Sequence, residues 1–237
     1  METVQRPSMI NLATEKVDIE GRAATLKATY GLLAVSVLFA VLGGYVGVRS
    51  EMVVNFFSTF IGWIVAIVLL NVIPIVTIRC IGSPALGLLA LVADGFVSGI
   101  VISPLLWLAG QVSPALIVGA GGFTLLIFTS VTFYVLTRKK EFSAPAAMAT
   151  GIFVCTVAAL GLNYFLNIGF LGVLLSIAVA AFGVFILVVN TSKVLRNPVA
   201  TGAVPGALLL FAGLFNVFVG VLNLLLRILA IMNGRRR

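Results

Sequence analysis

Asp94 is the residue best placed to do chemistry in this chain of 237 residues, which has no His and only seven Asp and Glu. Glu2, Glu15, Asp18 and Glu20 precede the first apolar run, Glu51 follows it, and Glu141 lies in the basic stretch Arg138-Lys139-Lys140-Glu141-Phe142-Ser143. Only Asp94 falls deep inside an apolar stretch. If that stretch crosses a bilayer, an ionised carboxylate there costs roughly 3 kcal/mol on insertion scales. Gly87, Asp94 and Ser98 share a helical face, so the carboxyl points into a bundle. It serves there either as a hydrogen-bonded packing group or as a proton- or cation-responsive site.

The other polar candidates form a pattern near the end of the chain. Gly206, Gly213 and Gly220 recur every seven residues, with Asn216, Asn223 and Arg227 at intervening three-four spacing. One helical face therefore carries three glycines, two amides and a guanidinium. Small residues let helix backbones approach closely in lipid, where apolar side chains gain little by meeting each other. The glycines read first as helix-packing positions. Asn216 and Asn223 read as lining a polar cavity, and Arg227, near its helix end, could equally snorkel to the interface. A similar stripe runs through Ser176, Ala180, Gly183 and Asn190, and another through Ser36, Ala40, Gly43 or Gly44, and Gly47.

Catalysis lacks its parts. There is no nucleophile–base pair, phosphate loop or dinucleotide fingerprint, and no second buried acid to work with Asp94. Cys80 and Cys155 have no metal-ligand spacing, so neither a disulfide framework nor a metal site follows. The expectation is a protein that is not an enzyme and has no cofactor.

The elements that must position these residues follow from composition. The chain is 61% hydrophobic and 9% charged, against about 25% charged in a soluble domain. Its apolar runs are apolar all round rather than alternating, which excludes a transmembrane barrel. The fold class is all-α, a polytopic membrane bundle. A polar tail over Met1–Lys27 is too long and too acidic for a signal-peptide n-region and reads as cytosolic. Seven spans follow: Ala28–Val48, Val53–Ile78, Pro84–Leu108, Pro114–Leu136, Pro145–Leu166, Ile168–Asn190 and Ala203–Met232. A basic tail, 233–237, closes the chain. Pro84, Pro114 and Pro145 start runs, where a missing N–H costs nothing. Pro74 and Pro104 sit near run ends as candidate kinks. Spans five and six, almost without a linker, should form a tight antiparallel hairpin. No discontinuous-helix pair marks a solute-binding site.

The net charge of +8 is explained by topology rather than by nucleic acid. Arg6, Lys16, Arg22, Lys27, Arg79, Arg138, Lys139, Lys140, Lys193 and Arg196 all fall on one side, and the opposite loops hold Arg49 alone. By the positive-inside rule the N-terminus is cytoplasmic. Arg235, Arg236 and Arg237 break the pattern if the last segment crosses once and obey it if that segment enters and returns. Seven complete crossings, with the last helix central, is the favoured reading.

Several stretches together resemble the Bax inhibitor-1 family, including its bacterial YccA-like members. Leu26-Lys27-Ala28-Thr29-Tyr30-Gly31-Leu32-Leu33, continuing to Gly43-Gly44-Tyr45-Val46-Gly47, is similar to that family's opening. Asp94-Gly95 followed by Ile102-Ser103-Pro104-Leu105 resembles its third helix. Tyr134-Val135-Leu136-Thr137-Arg138-Lys139-Lys140-Glu141-Phe142-Ser143 resembles its loop between helices four and five, and Leu225-Leu226-Arg227-Ile228-Leu229 its C-terminal end. The resemblance implies a seven-helix membrane protein with a calcium-leak or pH-sensitive activity, cytoprotective roles and, in bacterial members, modulation of a membrane protease of the FtsH type. It also implies a pH-sensing pair of aspartates. At those positions this chain has Asn190, within Val189-Asn190-Thr191, and Gly213. Two close carboxylates can share a proton or bind a divalent cation; an amide and a glycine cannot. The expected function is therefore a non-enzymatic regulator of membrane homeostasis or stress with at most a residual ion leak, in a bacterial inner membrane. A modulator of a membrane protease without any pore, or a small-solute transporter, is the alternative.

Overall fold

The computed structural model describes residues 9–79, 84–138, 142 and 169–234. Nine helices cover almost all of them: α1 (Met9–Arg49), α2 (Glu51–Ser58), α3 (Phe60–Arg79), α4 (Pro84–Val101), α5 (Ser103–Val112), α6 (Pro114–Thr137), α7 (Gly169–Arg196), α8 (Pro198–Thr201) and α9 (Ala203–Gly234). Five are long and apolar enough to cross a membrane, and the bent pair α4–α5 makes a sixth. The fold is an all-α polytopic bundle. The expected span Pro145–Leu166 and its hairpin with the next helix lie outside the described residues, as do Cys80, Cys155 and the three C-terminal arginines.

The helices depart from the expected spans in four places. α1 runs unbroken over 41 residues, roughly 60 Å at 1.5 Å per residue, or about twice a hydrocarbon core. Most of the polar N-terminal stretch thus continues the first span as helix. The expected second span, Val53–Ile78, is broken at Thr59. The Thr59 hydroxyl donates to the Phe56 carbonyl (2.7 Å) and accepts from the Gly62 N–H (3.0 Å), ending α2 and capping α3 with one side chain. Gly62 permits the fold-back, since a Cβ there would lie 1.9 Å from the Phe56 oxygen. α3 continues through Pro74 without a break.

The expected third span is bent by 50° between Val101 and Ser103. Pro104 sits in the first turn of α5, where its missing N–H would have had no partner. The kink expected at Pro104 is therefore present, as a bend between two helices, while the one expected at Pro74 is not. α9, by contrast, is a single helix of 32 residues, so the last segment does not enter and return.

α9 is the centre of the bundle. A larger share of its span is buried than of any other, and it packs against α1, α4, α5, α6 and α7. Its Ala207, Leu208, Leu210, Phe211 and Leu214 meet Leu33, Leu91, Val131, Leu187 and Val194 in one cluster. Further along, Leu222 and Leu226 close on Ala109 and Ala120. Large side chains such as Leu38, Val118, Leu126 and Phe133 face outward, as a lipid-facing surface should. Some buried hydroxyls, those of Ser36 and Thr77 among them, bond the carbonyl one turn back, at Leu32 (3.1 Å) and Ile73 (2.9 Å). That leaves no polar atom of these side chains demanding water within the bilayer.

Candidate functional site

Glycine decides how α7 and α9 meet. A Cβ on Gly183 would lie 2.5 Å from the Val217 nitrogen, and one on Gly220 would lie 2.4 Å from the Ala180 nitrogen. At Gly213 the same atom would come to 3.0 Å from the Leu187 Cα. Gly206 instead faces α1, where Thr29 Cγ2 stands 3.0 Å from its hypothetical Cβ. The seven-residue repeat thus serves two neighbours, with two glycines on α7 and one on α1. Backbones this close leave no room for side chains between them.

One polar cross-link spans the α7–α9 seam. Asn190 Nδ2 donates to the Leu209 carbonyl at 2.7 Å. That carbonyl lies one helical turn before Gly213, so Asn190 and Gly213 are neighbours in space. Here one is a donor amide tied to the other helix and the second is closed backbone.

Asn216 and Asn223 behave differently. Their Nδ2 atoms donate to Ala212 (2.8 Å) and Val219 (3.1 Å), each one turn back on α9 itself. Both are half-buried. Arg227 lies against the start of α7, where its guanidinium occupies the space that a Cβ on Gly172 would need. Its Nε is buried without a hydrogen-bond partner among the described residues.

Asp94 is 4% exposed and lies on α4 between Leu91 and Ser98, both buried, one turn to either side. The next residue, Gly95, packs on α1, where a Cβ would meet the Ser36 oxygen at 2.5 Å. Gly99 does the same against Ala40 (2.0 Å), and Gly43 of α1 against Phe96 (2.0 Å). Asp94 is thus held at the edge of a second glycine-packed seam. The structure does not bring it to hydrogen-bonding distance of Asn190, Asn216, Asn223 or Arg227. No group of three His, Cys, Asp or Glu that could hold a metal occurs among the described residues.

A cavity lies elsewhere, between α1, α5, α6 and α9, with a volume of about 530 Å³. Neither Asp94 nor the two α9 amides line it. Its walls are apolar, from Val37 and Val41 to Phe215 and Phe218, with Tyr45 and Arg49 at one end. Sequence reading passed over this cavity, because its walls come from four helices and none of its residues is unusual in an apolar span. Arg49, the lone cation of the opposite loops, was the available signal.

At the other end of the molecule, Arg22 Nη2 donates to the Arg196 carbonyl at 3.1 Å and Arg196 Nη2 donates to the Arg138 carbonyl. These guanidinium groups satisfy carbonyls at the C-terminal ends of α7 and α6, where positive charge is favoured. Basic residues far apart in sequence are thereby gathered on one side of the bundle.

The model of the family described as "Inhibitor of apoptosis-promoting Bax1" matches residues 22–235. An uncharacterized protein of Campylobacter jejuni is 28% identical over 204 residues, covering 84% of this chain and 87% of the relative. An uncharacterized protein of Pseudomonas aeruginosa is 24% identical over 223 residues, covering 93% and 95%. The match begins at Arg22, the residue that reaches α7, and runs through the seam to the end of α9.

Proposed function

This chain belongs to the Bax inhibitor-1 family, and from that premise we propose that it is a non-enzymatic regulator of membrane homeostasis or stress that acts by binding a partner rather than by conducting ions. The observation that supports this reading is the α7–α9 seam. Where the family resemblance aligns two carboxylates, Asn190 is committed to the Leu209 carbonyl and Gly213 is packed on Leu187. An amide donor bonded at 2.7 Å and a backbone without a side chain supply neither a shared proton nor a cation ligand.

The partner-facing element is the N-terminal part of α1, exposed over residues 19–24 and extending beyond the length a bilayer requires. A membrane protease of the FtsH type is the partner class the resemblance suggests. The side of the membrane is argued from Arg22, Arg138, Lys193 and Arg196, which stand at one end of the bundle and favour the cytoplasm. Both relatives are bacterial, which suits a bacterial inner membrane.

Calcium and proton flux in proteoliposomes tests the reading. The expected result is flux equal to that of empty vesicles, for the wild type and for Asp94→Asn alike. Flux that Asp94→Asn abolishes would replace this reading with a residual leak through Asp94, the one buried carboxyl of the described spans. Deleting residues 1–27 should then abolish co-purification with the membrane protease, and retained co-purification would exclude the tail as the docking element.

A further inference from the structure

We propose that the groove between α1, α5, α6 and α9 holds one acyl chain of an anionic phospholipid, whose phosphate rests on Arg49. The α1 wall of the groove runs from Val37 to Arg49, roughly 18 Å at 1.5 Å per residue. That matches one leaflet, half of the roughly 30 Å hydrocarbon core. The volume of about 530 Å³ lies in the range of sites that hold small ligands, about 300–1,000 Å³.

The walls select an apolar occupant. Phe211, Leu214, Phe215 and Phe218 of α9 form one wall, and Ile117 and Leu125 of α6 another. The one hydroxyl in the middle, Thr124, already donates to the Ala120 carbonyl at 2.7 Å, so it asks nothing of a ligand. The mouth selects the head. Arg49 is the last residue of α1, and its guanidinium lies 4.2 Å from the centre of the Tyr45 ring, which holds it at the end of the groove by a cation–π contact. Its N–H groups make no hydrogen bond among the described residues, leaving the fork free for a phosphate. Glu51, the nearest acid in sequence, lies in the first turn of α2. An apolar slot of leaflet length under a guanidinium has the shape and charge of an anionic phospholipid rather than of a protein segment.

Two wall glycines provide the test. A Cβ on Gly110 or Gly121 would meet nothing within 4 Å, so Gly121→Leu and Gly110→Leu each add bulk to a groove wall from an open position. Native mass spectrometry of the full chain in detergent, with added phosphatidylglycerol, phosphatidylcholine or inorganic phosphate, reads occupancy and oligomeric mass together. The wild type should retain phosphatidylglycerol at one per chain and phosphatidylcholine several-fold less, with no retention of inorganic phosphate. Either glycine variant should weaken retention about tenfold, and Arg49→Gln should equalise the two lipids while still binding an acyl chain. Thermal unfolding identifies any variant that has failed to fold, and the other glycine then decides. Phosphatidylglycerol retention that both variants leave unchanged, or no retention by the wild type, overturns the proposal. A monomer–dimer change on filling the groove overturns it in favour of a second copy of the chain. Ion flux plays no part in this readout, so the proposal stands or falls separately from the regulatory reading.

Discussion

Asn190 and Gly213 show why single residues matter at this seam. The Asn190 amide tethers α7 to α9 through one bond, and side-chain bonds between helices in a bilayer contribute about 0.6 kcal/mol on average and up to about 1.7. Asn190→Leu should therefore lower stability by about 1 kcal/mol in a detergent-denaturant titration. Asn216→Leu should cost less, because its amide bonds only its own helix. Gly213→Asp is a different case. A Cβ at 3.0 Å from Leu187 Cα makes its neighbours give by a few tenths of an ångström, and overpacking of this kind costs about 1–3 kcal/mol. Combining Asn190→Asp with Gly213→Asp should thus give a less stable protein than Asn190→Asp alone, by about that amount in the same titration. An aspartate pair fits this chain only if the seam opens.

Helices in this protein are set against each other by glycine rather than by bulk. The α1–α4 pair meets through Gly43, Gly95 and Gly99, and the α7–α9 pair through Gly183, Gly213 and Gly220. Gly99→Ala should destabilise by at least about 1–3 kcal/mol, since its Cβ would fall on the Ala40 oxygen. Gly119→Ala on α6 meets nothing within 4 Å and should be neutral or stabilise by about 0.5–1 kcal/mol, because Ala suits a helix interior better than Gly. Thermal unfolding of the two variants side by side checks the contrast. The hinge between α2 and α3 belongs to this scale as well. Thr59→Ala removes both hydrogen bonds of the cap and should cost about 1 kcal/mol, with amide exchange rising first at residues 59–62.

Over the whole molecule, charge separates the two ends. Arg22, Arg138 and Arg196 are tied together at one end through helix-terminal carbonyls, whereas Arg49 stands at the far end of α1 beside Tyr45. In a background with Cys80 and Cys155 replaced by Ser, Arg22→Cys should react with an impermeant thiol reagent only from the cytoplasmic side. Ser50→Cys, next to Arg49, should react only from the opposite side. The reverse labelling would invert the orientation and move the proposed lipid groove to the inner leaflet.

Much of this was legible without coordinates, and what was not has a common physical reason. Hydropathy and the scarcity of charge determined an all-α membrane bundle, because only helices with internally paired backbones suit lipid when the runs are apolar all round. The heptad of glycines on the last helix and the buried position of Asp94 were also readable, since each depends on local spacing. The break at Thr59 leaves no mark in the pattern, because apolar composition continues across it and its determinant is a hydroxyl cap, whereas Pro104 marked the bend at Ile102 as a candidate kink and the tertiary structure decided its size, 50°. Only the tertiary structure decided which neighbour each glycine meets, that Asn190 reaches another helix while Asn216 and Asn223 turn back on their own, and that the cavity between α1, α5, α6 and α9 avoids Asp94. Those outcomes depend on how far apart helices distant in sequence come to rest. Packing sets that distance, and it leaves no mark on any single segment.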